Sequence, residues 1–182
     1  MGKVLTWIGG SCSGKSTTEE YFISRGWAKR VIQCTTRQPR VNEIDGDHYH
    51  FLTVEEFHSK RCFNIIEITP EWLYGILPET LEEIKSSDNT YIYSVINMEY
   101  AQIMMEHLQE QNIPGIMVYF NIDIEQRIKL LQDRGETDND IRIRLDREDA
   151  SIYDPDSYLP NIEINILSPE MPEWLYNKLR EL

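Results

Sequence analysis

The residues best placed by type and spacing to do chemistry are Gly9-Gly10-Ser11-Cys12-Ser13-Gly14-Lys15-Ser16-Thr17, which satisfy the pattern G-x-x-x-x-G-K-[ST] through Gly9, Gly14, Lys15 and Ser16. In such a loop the backbone N–H groups and the end of the following helix concentrate positive potential on a phosphate, and glycines permit the close approach. Lys15 would reach the β- and γ-phosphates of a nucleoside triphosphate, and the Ser16 hydroxyl would coordinate Mg²⁺. The expected triphosphate-binding set is Ser11, Ser13, Gly14, Lys15, Ser16 and Thr17, with Lys15 the charge at the β- and γ-phosphates and Ser16 the metal contact.

A second concentration of candidate groups lies downstream. Arg37 and Arg40 sit three apart around Pro39, so two guanidinium forks could converge on one phosphate across a stiffened turn. Tyr49 adds a hydroxyl donor. If Tyr49 to Phe51 is a strand, Tyr49 and Phe51 share one face while His48 and His50 share the other. Asp45, Asp47, His48 and His50 also permit a metal-ligand reading, against which stands the plainer account of solvated loop and strand residues.

The elements that must position these groups follow from the apolar pattern. Lys3 to Ile8 is β-rich, and Lys15 to Arg25 is helix-patterned, which puts the glycine loop between a strand and a helix. Further strand patterns occur at Arg30 to Cys34, Thr90 to Ile96, Gly115 to Phe120 and Asn161 to Ile166. Helical patterns occur at Val54 to Lys60, Pro78 to Lys85, Glu99 to Gln111, Ile124 to Arg134, Asn139 to Ala150 and Pro172 to Leu182. Alternation of this kind predicts an α/β fold with a mostly parallel sheet flanked by helices. Turn chemistry at Asn42 to Asp47 and Asp154 to Pro160 marks surface loops.

The chain of 182 residues, 41% hydrophobic, has the size of one domain. Cys12, Cys34 and Cys62 cannot all pair and follow no metal-ligand spacing, which suits a reducing compartment. No secretory signal pattern or long apolar run is present, and the expectation is a soluble cytoplasmic protein, monomer or homodimer, with no membrane partner. A net charge of -13 opposes extended nucleic-acid backbone as a partner, and polyphosphate would have to be held by local basic clusters. Several of the basic residues fall in two segments, Arg37 to Arg40 and Arg127 to Arg147.

Thr35-Thr36-Arg37-Gln38-Pro39-Arg40, followed by Gly46-Asp47-His48-Tyr49-His50-Phe51, resembles the guanylate kinase family at the family's own spacing behind the phosphate loop. The resemblance continues through Val54 to Phe57, Tyr74-Gly75, Asp133-Arg134-Gly135 and Ile141 to Leu145, from about Val4 to Asn165. It implies a P-loop nucleoside monophosphate kinase fold with core segments 1–32, 88–126 and 151–182, an acceptor-binding lobe at about 33–87 and a helical lid at about 127–150. The implied activity is transfer of the γ-phosphoryl of ATP to GMP or dGMP with Mg²⁺. The implied acceptor set is Gln33, Arg37, Arg40, Tyr49, Glu67, Tyr74, Gly75 and Asn97, with Glu67 as the guanine-reading carboxylate. Arg134 and Arg144 resemble the lid arginines that neutralise charge spread over the triphosphate.

Several positions depart from the family pattern. Where an Asp-x-Asp pair is usual, the nearest equivalents are Ser94 and Ile96 or Asn97. Gln33 replaces a serine, Ile76 replaces a small hydroxyl residue, and Leu130 stands where an additional arginine is frequent, with Arg127 a substitute two turns ahead of Arg134. Glu67 also stands two residues closer to Tyr74 than is usual. These changes cluster at the acceptor's base and sugar, which points to retained ATP binding with altered acceptor preference. Two alternatives remain open at this point: a non-catalytic guanylate-kinase-like binding module, and a kinase for a modified (deoxy)nucleotide.

Overall fold

The structure, a computed structural model, describes the chain except for residues 40, 42, 96, 97 and 150–159 and the side chains of residues 68, 144 and 146–149. Two sheets organise it. The larger is five-stranded and runs β2 (Lys29–Arg30), β7 (Thr90–Val95), β1 (Lys3–Ile8), β8 (Gly115–Phe120), β9 (Ile162–Ile164). Every pair in it is parallel. The smaller is four-stranded, with order β4 (Tyr49–Phe51), β3 (Gln33–Thr35), β6 (Trp72–Ile76), β5 (Phe63–Thr69). There β3 and β4 are parallel, while β6 runs antiparallel to both β3 and β5.

Strand alternation divides the large sheet into two apolar faces. Val4, Ile8, Tyr91, Tyr93 and Met117 face one way, against Met98, Ala101, Met104 and Leu108 of α4 (Met98–Glu110) and Leu81 and Ile84 of α3 (Pro78–Ser86). Leu5, Trp7, Ile92, Val118 and Phe120 face the other, against Phe22 of α1 (Lys15–Ser24) and Leu175 and Leu179 of α7 (Met171–Arg180). Trp7 is fully buried and meets Phe22 edge-on at 5.3 Å, so truncation to alanine should cost about 3–5 kcal/mol. The remaining helices are α2 (Val54–Ser59), α5 (Ile124–Asp133) and α6 (Asp138–Asp149).

Two local readings of the sequence need correction. Arg30 to Cys34 is not one strand: β2 ends at Arg30 on the edge of the large sheet, and β3 begins at Gln33 in the small one. Val31 still donates to the Ile92 carbonyl at 2.9 Å, and the chain then crosses between sheets. The apolar run was right, but periodicity carries no information about which sheet a strand joins. The hairpin β5–β6 was not expected either, because Asn64 at φ +49° and the register shift between Phe63 and Ile66 break the alternation that marks a strand. Ala150 and nearly all of the Asp154 to Pro160 loop lie outside the described residues.

Candidate functional site

The loop from Gly9 to Gly14 leaves the carboxyl end of β1, which is central in the large sheet, and runs directly into α1. Ligands of open parallel sheets bind outside those strand ends. Gly14 is the helix N-cap in a left-handed conformation, φ +87°, and a Cβ there would come within 2.5 Å of Leu167. Glycine is therefore favoured by the backbone, and the Leu167 side chain of the β9–α7 connection packs closely over it. Lys15 lies back along it: its ammonium donates to the Gly9 carbonyl, to the Gly10 carbonyl at 3.0 Å and to Ser13 Oγ at 3.3 Å. Ser16 and Thr17 are exposed on the first turn of α1, Ser11 is half-buried, and Ser13 is buried.

Arg127 reaches the same loop from α5. It is 7% exposed, and its Nε donates to the Ser11 carbonyl at 2.8 Å, which places a fixed cation behind the phosphate loop. Asp123 caps α5 through the N–H groups of Glu125 and Gln126 and so sets the direction from which Arg127 enters. Arg134 is the exposed C-cap of α5 and makes no ion pair with a described residue. Arg144 lies within α6, and its side chain is outside the described residues.

In the small sheet, Arg37 is the centre of a polar and aromatic cluster. Its Nε donates to Tyr74 Oη at 3.1 Å, and both terminal nitrogens donate to Glu43, each at 2.6 Å. One of them also donates to the Gln38 carbonyl at 2.9 Å. The bonds donated to Glu43 raise the Arg37 pKa above its ordinary value, against a smaller opposing effect of burial. The guanidinium lies over the Tyr49 ring at 5.0 Å, and the Tyr49 and Tyr74 rings are 5.8 Å apart. Burial raises the Tyr49 phenol, which therefore remains a protonated donor at neutral pH. Gln33 pairs with Tyr49 between β3 and β4. Thus Gln33, Arg37, Tyr49 and Tyr74 are gathered, whereas Arg40 and Asn97 lie outside the described residues. Glu67 is exposed on β5, opposite Leu73. Gly75 is buried, and a Cβ there would come within 2.9 Å of Cys62 Cβ and 3.0 Å of Phe57, so its observed contribution is close packing inside the small sheet.

Two features escaped the sequence. Glu43 was not singled out, although a carboxylate six residues after Arg37 is the local signal for a bidentate pair. Glu19, one turn beyond Lys15 on α1, is 6% exposed. It accepts from Arg30 Nε at 2.6 Å and Ser94 Oγ at 2.8 Å, joining the phosphate-loop helix to β2 and β7. A carboxylate on the inward face of an otherwise ordinary helix was the available clue.

Asp45 and His48 make turn contacts instead of converging on a cation: Asp45 accepts from the Phe51 N–H and His48 Nδ1 from the Ile44 N–H. Among the described residues no group of three His, Cys, Asp or Glu side chains is placed to hold a metal. A separate cleft of about 620 Å³ lies away from the phosphate loop, between β2 and the turn at Gly46, with Lys29, Arg30, His50 and Glu83 in its wall. Among the described residues no helix is long and apolar enough to cross a membrane.

A family model described as guanylate kinase matches residues 1–156. The chain belongs to the guanylate kinase family. It is similar to the guanylate kinase of Bartonella henselae, 31% identical over 140 residues, a match covering 72% of this chain and 59% of that one. It is also similar to the guanylate kinase of a Wolbachia species of Brugia malayi, 28% identical over 161 residues, covering 86% and 82%. The chain thus spans about 59% of the length of the first of these relatives. Among solved structures, that of guanylate kinase from Anaplasma phagocytophilum superposes with a TM-score of 0.69 at 19% identity, covering 99% of this chain and 85% of that one. That of the Mycobacterium tuberculosis APS kinase CysC, in complex with AMPPNP and APS, gives 0.54 at 14% identity, covering 98% of each chain. Both likenesses are of fold.

Proposed function

We propose that this family member transfers the γ-phosphoryl group of ATP to a nucleoside monophosphate, GMP or dGMP, giving the diphosphate. The observation that carries the reading is the pairing of an intact phosphate loop on β1 with the Arg37, Tyr49 and Tyr74 cluster in a separate small sheet. One sheet offers a triphosphate cradle and the other a cationic, hydroxyl-rich seat for a single phosphate. On this reading residues 33–87 form the acceptor lobe and residues 127–150 the lid.

The acceptor phosphate is already anionic at neutral pH, so its oxygen needs no protein general base to attack the γ-phosphorus in line. The chain's part is positioning and charge neutralisation. Lys15 exchanges its loop carbonyls for β- and γ-oxygens, and the loop N–H groups hold the β-phosphate. Arg37 and Tyr49 hold the acceptor phosphate, with Arg40 as a second cation and Tyr74 fixing the Arg37 fork. Glu67 and Gln33 face the base, and Asn97 the nucleoside. Arg134 and Arg144 close over the transferred group from the lid. Arg127 adds a fixed charge beneath the loop.

Mg²⁺ fits the donor set here: an exposed serine hydroxyl at the first helical turn is a hard oxygen ligand, and Mg²⁺ accepts one or two protein oxygens beside phosphate and water. Ser16 would hold it, and the ion would neutralise charge on the β- and γ-oxygens. The buried Glu19 carboxylate and Ser94 supply oxygen atoms at the end of β7 where the family carries aspartates.

A net charge of -13 supports small nucleotides over nucleic acid as partners, and three free cysteines support a cytoplasmic setting, with the chain a monomer or homodimer. The test is a steady-state screen of nucleoside monophosphates with Mg-ATP, in which a guanine nucleotide should give diphosphate. No product from any guanine nucleotide overturns the substrate claim. If Mg-ATP at about 100 times its Kd also fails to add roughly 2.7 kcal/mol of stability, the donor site falls with it.

A further inference from the structure

Cys34 and Cys62 are used by nothing in the proposed reaction, yet their sulfurs lie 3.1 Å apart in the small sheet's own apolar core with Phe57 and Leu73. That is about 1 Å beyond a disulfide bond length. Two local features bring them together. Gly75 pairs with Cys34 between β3 and β6, and its lack of a side chain lets Cys62 pack against it. The chain around Cys62 is bent by two positive-φ residues, Arg61 at +53° and Asn64 at +49°. The third cysteine, Cys12, lies in the phosphate loop on the other sheet, leaving this pair a self-contained unit.

We propose that Cys34 and Cys62 are a site of reversible oxidative cross-linking by low-molecular-weight disulfides, and that closing the cross-link alters acceptor binding. Cys62, at 9% exposure against 0% for Cys34, is the sulfur that reacts first. Its thiolate attacks one sulfur of the small disulfide, forming a mixed disulfide and displacing one small thiolate. The Cys34 thiolate then attacks the Cys62 sulfur and displaces the second. Two electrons pass to the small disulfide, and the two cysteine protons end on the released thiols. Burial raises the pKa of both thiols, so the exchange waits on local opening that frees the thiolates.

Closure replaces the bond from the Cys34 thiol to the Gly75 carbonyl, 3.3 Å long, and draws β3 toward Cys62. Gln33 is the next residue on that strand, and Tyr74 is paired with Thr35. Groups around the acceptor move, whereas the phosphate loop belongs to the other sheet. This kinetic consequence rests on the proposed function; the cross-link itself does not.

The experiment incubates the folded chain with oxidised glutathione, then combines thiol titration, non-reducing peptide mapping and initial rates. The expected result is a linked Cys34 and Cys62 peptide pair that dithiothreitol reverses, a severalfold change in acceptor KM and an unchanged KM for ATP. In Cys62→Ser both the linked peptide and the KM response should vanish. Recovery of both cysteines as free thiols, or only as separate glutathione adducts, overturns the site. A linked pair with unchanged acceptor KM overturns the consequence for binding. A protein that cross-links but phosphorylates no nucleotide leaves the site standing and refutes the proposed function instead.

Discussion

The phosphate loop and the Arg37 cluster surround their cations with different groups. The Lys15 ammonium donates to the Gly9 and Gly10 carbonyls and to Ser13 Oγ, so its own loop backbone takes part in holding it. Arg37 rests on a full carboxylate, Glu43, in a bidentate pair that is largely buried. On the proposed function, the donor site is shaped largely by loop backbone, while the acceptor site is shaped by side chains that bond to one another. An acceptor phosphate bound there would have to compete with Glu43 for the guanidinium or approach along an edge that Glu43 leaves accessible. This predicts that donor binding tolerates change in the surrounding side chains, and that acceptor binding does not.

The largest break in that comparison should come from Lys15→Ala. Loss of one preorganised charge at the transferred group lowers kcat by about 10²–10³-fold. The acceptor Kd, measured by calorimetry without ATP, should not change. Full turnover in this variant would remove the loop from the chemistry.

Next is Arg37→Lys, which keeps the charge and loses the fork. Losing a charge-assisted bond of about 1.5–3 kcal/mol should raise acceptor KM by roughly 10–100-fold while the KM for ATP is retained. Glu43→Gln sharpens the point. It weakens the competitor without removing its hydrogen-bonding shape, so inorganic phosphate should protect this variant against heat more than it protects the parent chain. Equal protection would mean that Glu43 does not contest the anion site.

How much of this was legible in the sequence follows the same division. Gly14 and Lys15 declare themselves because a backbone cradle needs glycine and lysine at fixed spacing, and the β1–loop–α1 setting followed from apolar periodicity alone. The Arg37 segment was found by its own residues, but its engagement with Glu43 and Tyr74 depends on how β3, β4 and β6 come together, which no local pattern encodes. The split of Arg30 to Cys34 between two sheets failed for the same reason. Gly75 was expected at the acceptor, but its making room for Cys62, a contact between residues distant along the chain, was not. Gly75→Ala should accordingly cost about 1–3 kcal/mol in urea unfolding through overpacking, with the KM for ATP unaffected.

The smallest effect tests whether the small sheet's sensitivity is confined to its Arg37 face. Thr53 opens α2 with a capping box: its side chain accepts from the Glu56 N–H at 3.1 Å, and the Glu56 carboxylate accepts from the Thr53 N–H at 2.8 Å. That second bond holds the Glu56 pKa below the ordinary value of 4.5. A carboxyl group lowered on folding stabilises fully above its unfolded value, and the contribution is lost as pH falls from 4.5 through the lower folded value. Thr53→Ala should cost about 1 kcal/mol at neutral pH, and because alanine keeps the N–H that Glu56 accepts, parent chain and variant should both lose stability as the solution is acidified through that window. Acceptor KM should stay at the parent value, because α2 packs through Phe57 against Cys34 and Leu73 and its cap does not touch Arg37, Tyr49 or Tyr74. A rise in acceptor KM comparable to that of Arg37→Lys would show instead that the whole small sheet acts as one rigid receptor, and the contrast with the backbone-built donor loop would then lie in the sheet and not in the side chains around Arg37.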